Sequence, residues 1–507
     1  MSASRSKRTV QNMSMGFIYQ FTSMLLSFVS RTVFIRTLGD EYLGLNGIFG
    51  DVLTLLSMAD LGFSTAMAYS FYKPLAEHDE DKIRSLVTFY KKIYNTIALA
   101  VLGLGLCCIP FLRFIVNTEK DIDHLEIYYL FSLAGVVTSY LFVYKTTLLT
   151  ADQKNYKVTN IRMVTNFVKV VLQILVLYFF RNYILYLAIG TGMGIINNLI
   201  ASKKAESEYP YIRNLKVQRG VDKQLKDSIV DNMKSVFIYK VSTTVFSATD
   251  NIIISMVIST AMVGLYSNYL MLSHKLLLIE QIIFSAMTAS IGNVIASEKS
   301  EKRYQVFQSI QSMSFIFCGI ITTCYCIMAD DLVRIWLGDS HRLPMLLVIA
   351  VSLNTFLACA LQPLWSYRDA SGLYRKTKYI MLVATIENIV LSVVLGKLIG
   401  VAGVIFASAI ARLTTYFWYE PKLLFREYFE RSARSYFLDM LKNLLLSVAV
   451  VGTVYFVSSK FYVDNWFTLF VKGAIVGVIC TMIFVSVYYK TEGAQNIIRK
   501  VKGYIRK

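Results

Sequence analysis

Charged residues are scarce, at 17% of 507 positions against 55% hydrophobic, whereas a soluble domain runs near roughly 25% charged. The deficit excludes an ordinary water-soluble globule, because the surplus apolar surface has to face lipid. Histidine is scarce too: the four present, His78, His124, His274 and His341, stand at no metal-ligand spacing. The seven cysteines, Cys107, Cys108, Cys318, Cys324, Cys326, Cys359 and Cys480, all fall inside apolar runs, where a thiol packs as a small hydrophobe. No GxxxxGK[ST] loop is present, so nothing points to ATP hydrolysis. GTGMG at Gly190–Gly194 has only the spelling of a nucleotide loop, since small residues inside an apolar run serve close helix packing. The gaps between apolar runs leave no room for a soluble domain, and the outer gaps are too short for catalytic loops. A transporter is therefore expected rather than an enzyme, without a cofactor beyond a coupling H+ or Na+.

What the chain has in abundance is apolar runs of the roughly 20 residues needed to cross hydrocarbon. They lie near 13–36, 44–70, 93–116, 126–149, 158–180, 183–202, 233–257, 262–295, 307–329, 343–366, 377–396, 401–419, 439–458 and 467–489. The expectation is an all-α integral membrane protein of about 14 transmembrane helices. The first run follows a basic start, Arg5, Lys7 and Arg8, but is too long for a cleaved signal and meets no small-residue cleavage site. It reads as a retained helix.

The net charge of +19 raises nucleic acid as a partner, and the placement of the basic residues decides against it. Lys and Arg crowd every second gap: Lys73 to Lys92, Lys154 and Lys157, Lys203 to Lys234, Lys299 to Arg303, Arg368 to Lys378, and Lys422 to Arg434. The alternate gaps hold only Arg113, Lys120, Arg181, Arg334, Arg342, Lys397 and Lys460. This is the positive-inside pattern, and it places both termini in the cytoplasm, with the basic tails also meeting anionic lipid.

Two polar stretches divide the spans into six, six and two. The expected layout is a first lobe over 1–202, a basic cytoplasmic linker over 203–232 and a second lobe over 233–420. A linker over 421–438, a final helix pair over 439–490 and a basic tail over 491–507 complete it. A shift of 220 residues lays VQNMSMGFIYQF, from Val10, onto VDNMKSVFIYKV, from Val230, and pairs Gly44-Leu45 with Gly264-Leu265. Both copies begin inside, so the lobes read as parallel repeats with the substrate path between them.

Ionisable residues inside the spans are the next signal, since each costs roughly 2.5 to 3.5 kcal/mol on insertion scales and needs a partner or a wet cavity. Arg31 and Arg36 lie in the first span, with Asp51 within pairing depth of Arg31. Asp60 lies deeper, and the 220-residue shift sets Glu280 opposite it. Further on come Lys145, Lys169, Lys240, Asp250, His274, Lys275, Glu387 and Arg412. Two readings stand. In one, cations led by Arg31, Lys275, Arg36 and Arg412 neutralise a diphosphate or acidic sugar in a cavity, and Asp60, Asp51, Asp250, Glu280 and Glu387 take protons or hold the cations. In the other, these are structural ion pairs between helices, with Lys145, Lys169 and Lys240 snorkelling to the inner interface. Pro363 in LQPLW is expected to bend its helix.

The segment from Arg31 to Tyr94 carries R-x(4)-R-x-LG, then EYLGLNGIF, then the acid before Leu61-Gly62, then SFYKPLA ahead of an acidic loop. It resembles the repeat-unit flippases of bacterial O-antigen, capsule and exopolysaccharide clusters, in the multidrug, oligosaccharidyl-lipid and polysaccharide (MOP) exporter superfamily. That resemblance implies a V-shaped, MATE-like pair of six-helix lobes with two extra C-terminal helices in the bacterial inner membrane. It implies alternating access to a cationic cavity, driven by an ion gradient or the membrane potential. The implied substrate is an undecaprenyl-pyrophosphate-linked oligosaccharide passed to the outer leaflet, with membrane lipids, a polymerase and glycosyltransferases as partners. Among the family's cavity arginines, Arg31 and Arg36 fit its motif; Asn251 stands where Arg31 would repeat, leaving Lys275 as the substitute. The alternatives within the superfamily are a cation-coupled multidrug exporter and a flippase for the cell-wall precursor lipid II.

Overall fold

A computed structural model of the chain describes residues 2–60, 63–118, 122–215 and 237–496. The described residues are helical and contain no strand. In chain order the principal helices are α1 Ser2–Leu38, α2 Asp40–Leu56, α3 Phe63–Glu77, α4 Glu80–Cys108, α5 Leu125–Ala151, α6 Asn155–Phe180, α7 Tyr183–Glu208 and α8 over 237–248. Next come α9 Asp250–Val257, α10 Thr260–Ser297, α11 Ser300–Leu337, α12 Met345–Ser371, α13 Tyr374–Ile399 and α14 Val401–Thr414. The last are α15 Tyr416–Leu424, α16 Arg434–Ser458 and α17 Trp466–Tyr488.

Among the described residues eleven helices are long and apolar enough to cross a membrane, and up to 12 if α10 is counted across its 41° bend. The expected second and seventh spans are in shorter pieces. The second is α2, 17 residues long, followed by a 3-10 turn at Ser57–Asp60 and by α3, 15 residues long. The seventh is split between α8 and α9, whose break falls at Thr249.

Local sequence sets the helix ends. Asp79 caps α4 by accepting from the Lys82 amide at 2.9 Å, Asn182 caps α7 through the Leu185 amide at 3.0 Å, and Asn465 with Thr468 forms a capping box on α17. Gly39 turns α1 into α2 with φ +89°, a region that costs other residues a Cβ clash. α12 runs unbroken through Pro363.

The chain forms two compact units, Met1–Gly264 and Leu265–Lys507. In the first, α5 packs on α4 and α7, α1 packs on α6, and α9 packs on α2. The first turns of α2 and α10 cross there at two glycines. A methyl group on Gly44 would strike the Thr260 carbonyl oxygen, and one on Gly264 would strike the Asp40 carbonyl oxygen. Both pairs, 40 with 260 and 44 with 264, obey the 220-residue offset. In the second unit α11 is the central helix, packed by α12, α16 and α17, while α14 packs on α12 and α13. Phe484 of α17 lies on Gly319 of α11, where no other side chain would leave room for the ring.

Candidate functional site

Arg31 lies on α1 two turns below Gly39, half-buried beside Asp40 and Tyr186. The Tyr186 hydroxyl bonds Ser30, one residue away. Around them Tyr183 meets Tyr42 at 4.9 Å and Tyr128 at 4.8 Å between ring centroids, Phe34 meets Tyr186 at 5.0 Å, and the Tyr183 hydroxyl donates to Asn46 at 2.8 Å. No local sequence pattern announces this tyrosine cluster, because its members come from four separate helices. Its one signal was the 33 tyrosines in a chain with so little charge.

The expected Arg31–Asp51 pair does not form. Asp51 instead accepts from Asn251 Nδ2 at 2.8 Å. The reason is geometric. Asp40 opens α2 right after the turn and stays beside α1, whereas Asp51 lies three turns further along a helix that packs more on α9 than on α1. Asn251, the residue at the repeat position of Arg31, takes the place expected for an arginine. Arg36 is exposed in the last turn of α1. Asp250 opens α9 and is half-buried. The Asp60 side chain lies outside the described residues.

In the second unit Glu280 is buried, at 2% exposure, and receives the Ser314 hydroxyl at 3.2 Å. Lys275 is half-buried and His274 exposed on the same helix. Glu387 accepts from Thr414 at 2.7 Å. Arg412 lies against Tyr416 in the last turn of α14, near the buried ion pair of Arg368 with Glu420 at 3.3 Å.

The end of the first unit where α5 closes and α6 opens carries a network of ion pairs. Lys145 bonds Glu206, Lys157 and Lys154 both meet Glu208, and Lys154 also meets Asp152 at 2.8 Å. Tyr209 donates to Asp152 at 2.7 Å, and burial together with that carboxylate pushes its phenol above the ordinary value, so it remains a donor. Asn12 of α1 ties this end together, donating to the Gln153 carbonyl at 2.9 Å and accepting from the Tyr156 amide at 2.7 Å. A cavity of about 370 Å³ opens beside it, lined by Tyr72, Leu75, Ala76, Thr150, Asp152 and Gln153. Lys145 is therefore held in a pair, while Lys169 of α6 has no hydrogen bond or ion pair to another described residue. Among the described residues no cluster of His, Cys, Asp and Glu could hold a metal ion. In GTGMG, Gly190 lies against Gln173 of α6 and Thr191 donates to the Phe131 carbonyl of α5 at 2.9 Å, so this segment packs helices.

No protein-family profile matches the chain, and no curated protein matches it by sequence. Solved structures do. The lipid II flippase MurJ in an inward closed conformation superposes with a TM-score of 0.66 at 14% identity, covering 93% of this chain and 98% of that one. An inward-facing multidrug resistance MATE transporter of the MOP superfamily gives 0.59 at 12% identity over 78% of this chain and 93% of that one. A MATE transporter of Vibrio cholerae, VcmN, gives 0.52 at 14% identity over 84% and 99%. With its helices long and apolar enough to span a bilayer, the chain is an all-helical, multi-pass membrane protein with the fold that MurJ and the MATE transporters share.

Proposed function

We propose that the protein is a flippase for undecaprenyl-pyrophosphate-linked oligosaccharide repeat units, passing them from the cytoplasmic to the outer leaflet of the bacterial inner membrane for surface polysaccharide assembly. The observation that carries this reading is Arg31, a guanidinium set among tyrosines well inside the membrane-spanning part of the first unit. A fixed cation at that depth favours an anionic passenger and repels the cationic drugs a multidrug exporter takes. Both termini lie in the cytoplasm, and an ion gradient or the membrane potential drives the cycle, with Asp60 the coupling acid. The superposition on MurJ favours a second reading, lipid II as passenger, which shares the diphosphate and the carrier lipid.

Deletion and complementation separate them. Under the first reading, deletion removes surface polymer and builds up carrier-linked repeat units inside, and Arg31→Ala at normal expression restores less than a tenth of the polymer. Full restoration by Arg31→Ala removes the head-group role. Rescue of cells depleted of their lipid II flippase, with polymer unaffected by the deletion, selects the second reading. A cation requirement that survives Asp60→Asn removes that acid from coupling.

A further inference from the structure

Resting on that proposed function, a second cationic position in the first unit remains unexplained. Lys169 lies about 20 Å from the start of α6 and about 16 Å from its end, taking 1.5 Å per residue over Asn155–Phe180. Neither end is within reach of a lysine side chain, which rules out snorkelling. The carboxylates of the ion-pair network in this unit are taken by other lysines, Glu206 by Lys145 and Glu208 by Lys154 and Lys157. Lys169 is thus a deep cation that nothing described neutralises.

It is not isolated. Arg162, Asn166, Lys169 and Gln173 follow at helical spacing and fall within an arc of about 60° on α6. Arg162 is exposed, and neither its guanidinium nor the Asn166 side-chain amide bonds another described residue. Along the middle of the same helix the exposed apolar side chains Val164, Phe167, Val168, Val171 and Leu175 lie on the roughly opposite face, with Leu172 on the flank between. The polar stripe therefore turns away from lipid. At its outer end Gln173 donates to the Tyr186 carbonyl at 3.0 Å, and the Tyr186 side chain adjoins Arg31. A line of donors thus runs up α6 and ends at the arginine of the first hairpin.

We propose that Arg162, Asn166 and Lys169 form an anion ladder on α6, a binding position for the substrate diphosphate on the inner side of Arg31. Each member supplies N–H donors and no acceptor except the Asn166 carbonyl, which suits phosphoryl oxygens. Lys169 has no counter-charge among the described residues, and the arriving diphosphate supplies one.

The test is calorimetric titration of the full chain in nanodiscs of zwitterionic lipid, with geranylgeranyl diphosphate, geranylgeraniol and inorganic pyrophosphate as probes. Lys169→Met is expected to weaken geranylgeranyl diphosphate at least tenfold, and Lys169→Arg to stay within threefold of wild type. The melting temperature of Lys169→Met is expected to be no lower than wild type, which a structural lysine would not allow. Equal binding by wild type and Lys169→Met overturns the ladder and leaves the proposed function standing. Lys169-dependent binding of pyrophosphate without any prenyl diphosphate keeps the ladder and overturns the lipid-linked passenger. Failure of wild type to bind either diphosphate, or tight binding of the neutral alcohol alone, overturns both.

Discussion

Asn251 gives Asp51 one amide hydrogen, while its own carbonyl oxygen is buried and meets no donor among the described residues. The pair is held by that one amide hydrogen bond, and its reversal is predictable. Asn251→Asp sets two carboxylates against each other and should lower stability by about 1 to 3 kcal/mol. Asp51→Asn added to it recreates the same bond with donor and acceptor exchanged and should recover most of that loss, read as the melting temperature of the purified protein. If the double variant melts as low as Asn251→Asp alone, the bond is not what holds the two helices. Glu280 gives a second residue-scale prediction. A glutamine keeps the acceptor that Ser314 uses and cannot ionise, so Glu280→Gln should melt at or above wild type, while Glu280→Ala leaves a cavity and should lose about 2 kcal/mol.

For whole helices, hydropathy was a good guide wherever one apolar run made one helix. The runs at 126–149, 158–180 and 377–396 are α5, α6 and α13, which begin one to three residues before the run and end up to three residues after it. The breaks in the second and seventh spans were invisible, because an apolar run has the same hydropathy whether its backbone is continuous or broken. The Arg31 neighbourhood was half legible. Its depth followed from counting back from Gly39, but its partners depended on how α2 diverges from α1, which no local pattern records. The stripe on α6 is legible in principle, at 162, 166, 169 and 173, and is obscured when Lys169 is grouped with Lys145 and Lys240 rather than with its neighbours on the helix. The crossing of α2 and α10 yields an element-scale prediction. Gly44→Ala or Gly264→Ala should each cost about 1 to 3 kcal/mol by forcing backbones apart. The double variant should lose less than the two losses added, because once the crossing has opened the second methyl meets nothing.

At the scale of the whole molecule, the last two helices are part of the second unit's core. Lys472 of α17, only 8% exposed, bonds Asp331 of α11 at 2.7 Å, Phe484 covers Gly319, and Gly493 lies on the Gln308 backbone. Truncation after Ser432 would take the Lys472 partner from Asp331, leaving it Arg334 alone, and would bare the α11 face to lipid. The truncated chain is expected to lose monodispersity on size exclusion, whereas removal of 497–507 alone should leave the elution profile unchanged.

The glycine crossing also bears on how a chain of this size can be built. Asp40 meets Gly264 as Thr260 meets Gly44, so the contact is the same surface used twice, as in an isologous dimer. Two copies of a half-length chain, inserted in the same orientation, would meet residue 40 to residue 44 and residue 44 to residue 40 about a two-fold axis. Joining the copies in one reading frame turns that encounter from one governed by protein concentration into an intramolecular one. It also frees each half to diverge at positions the symmetry had tied together: an arginine could persist at 31 while an asparagine arose at 251.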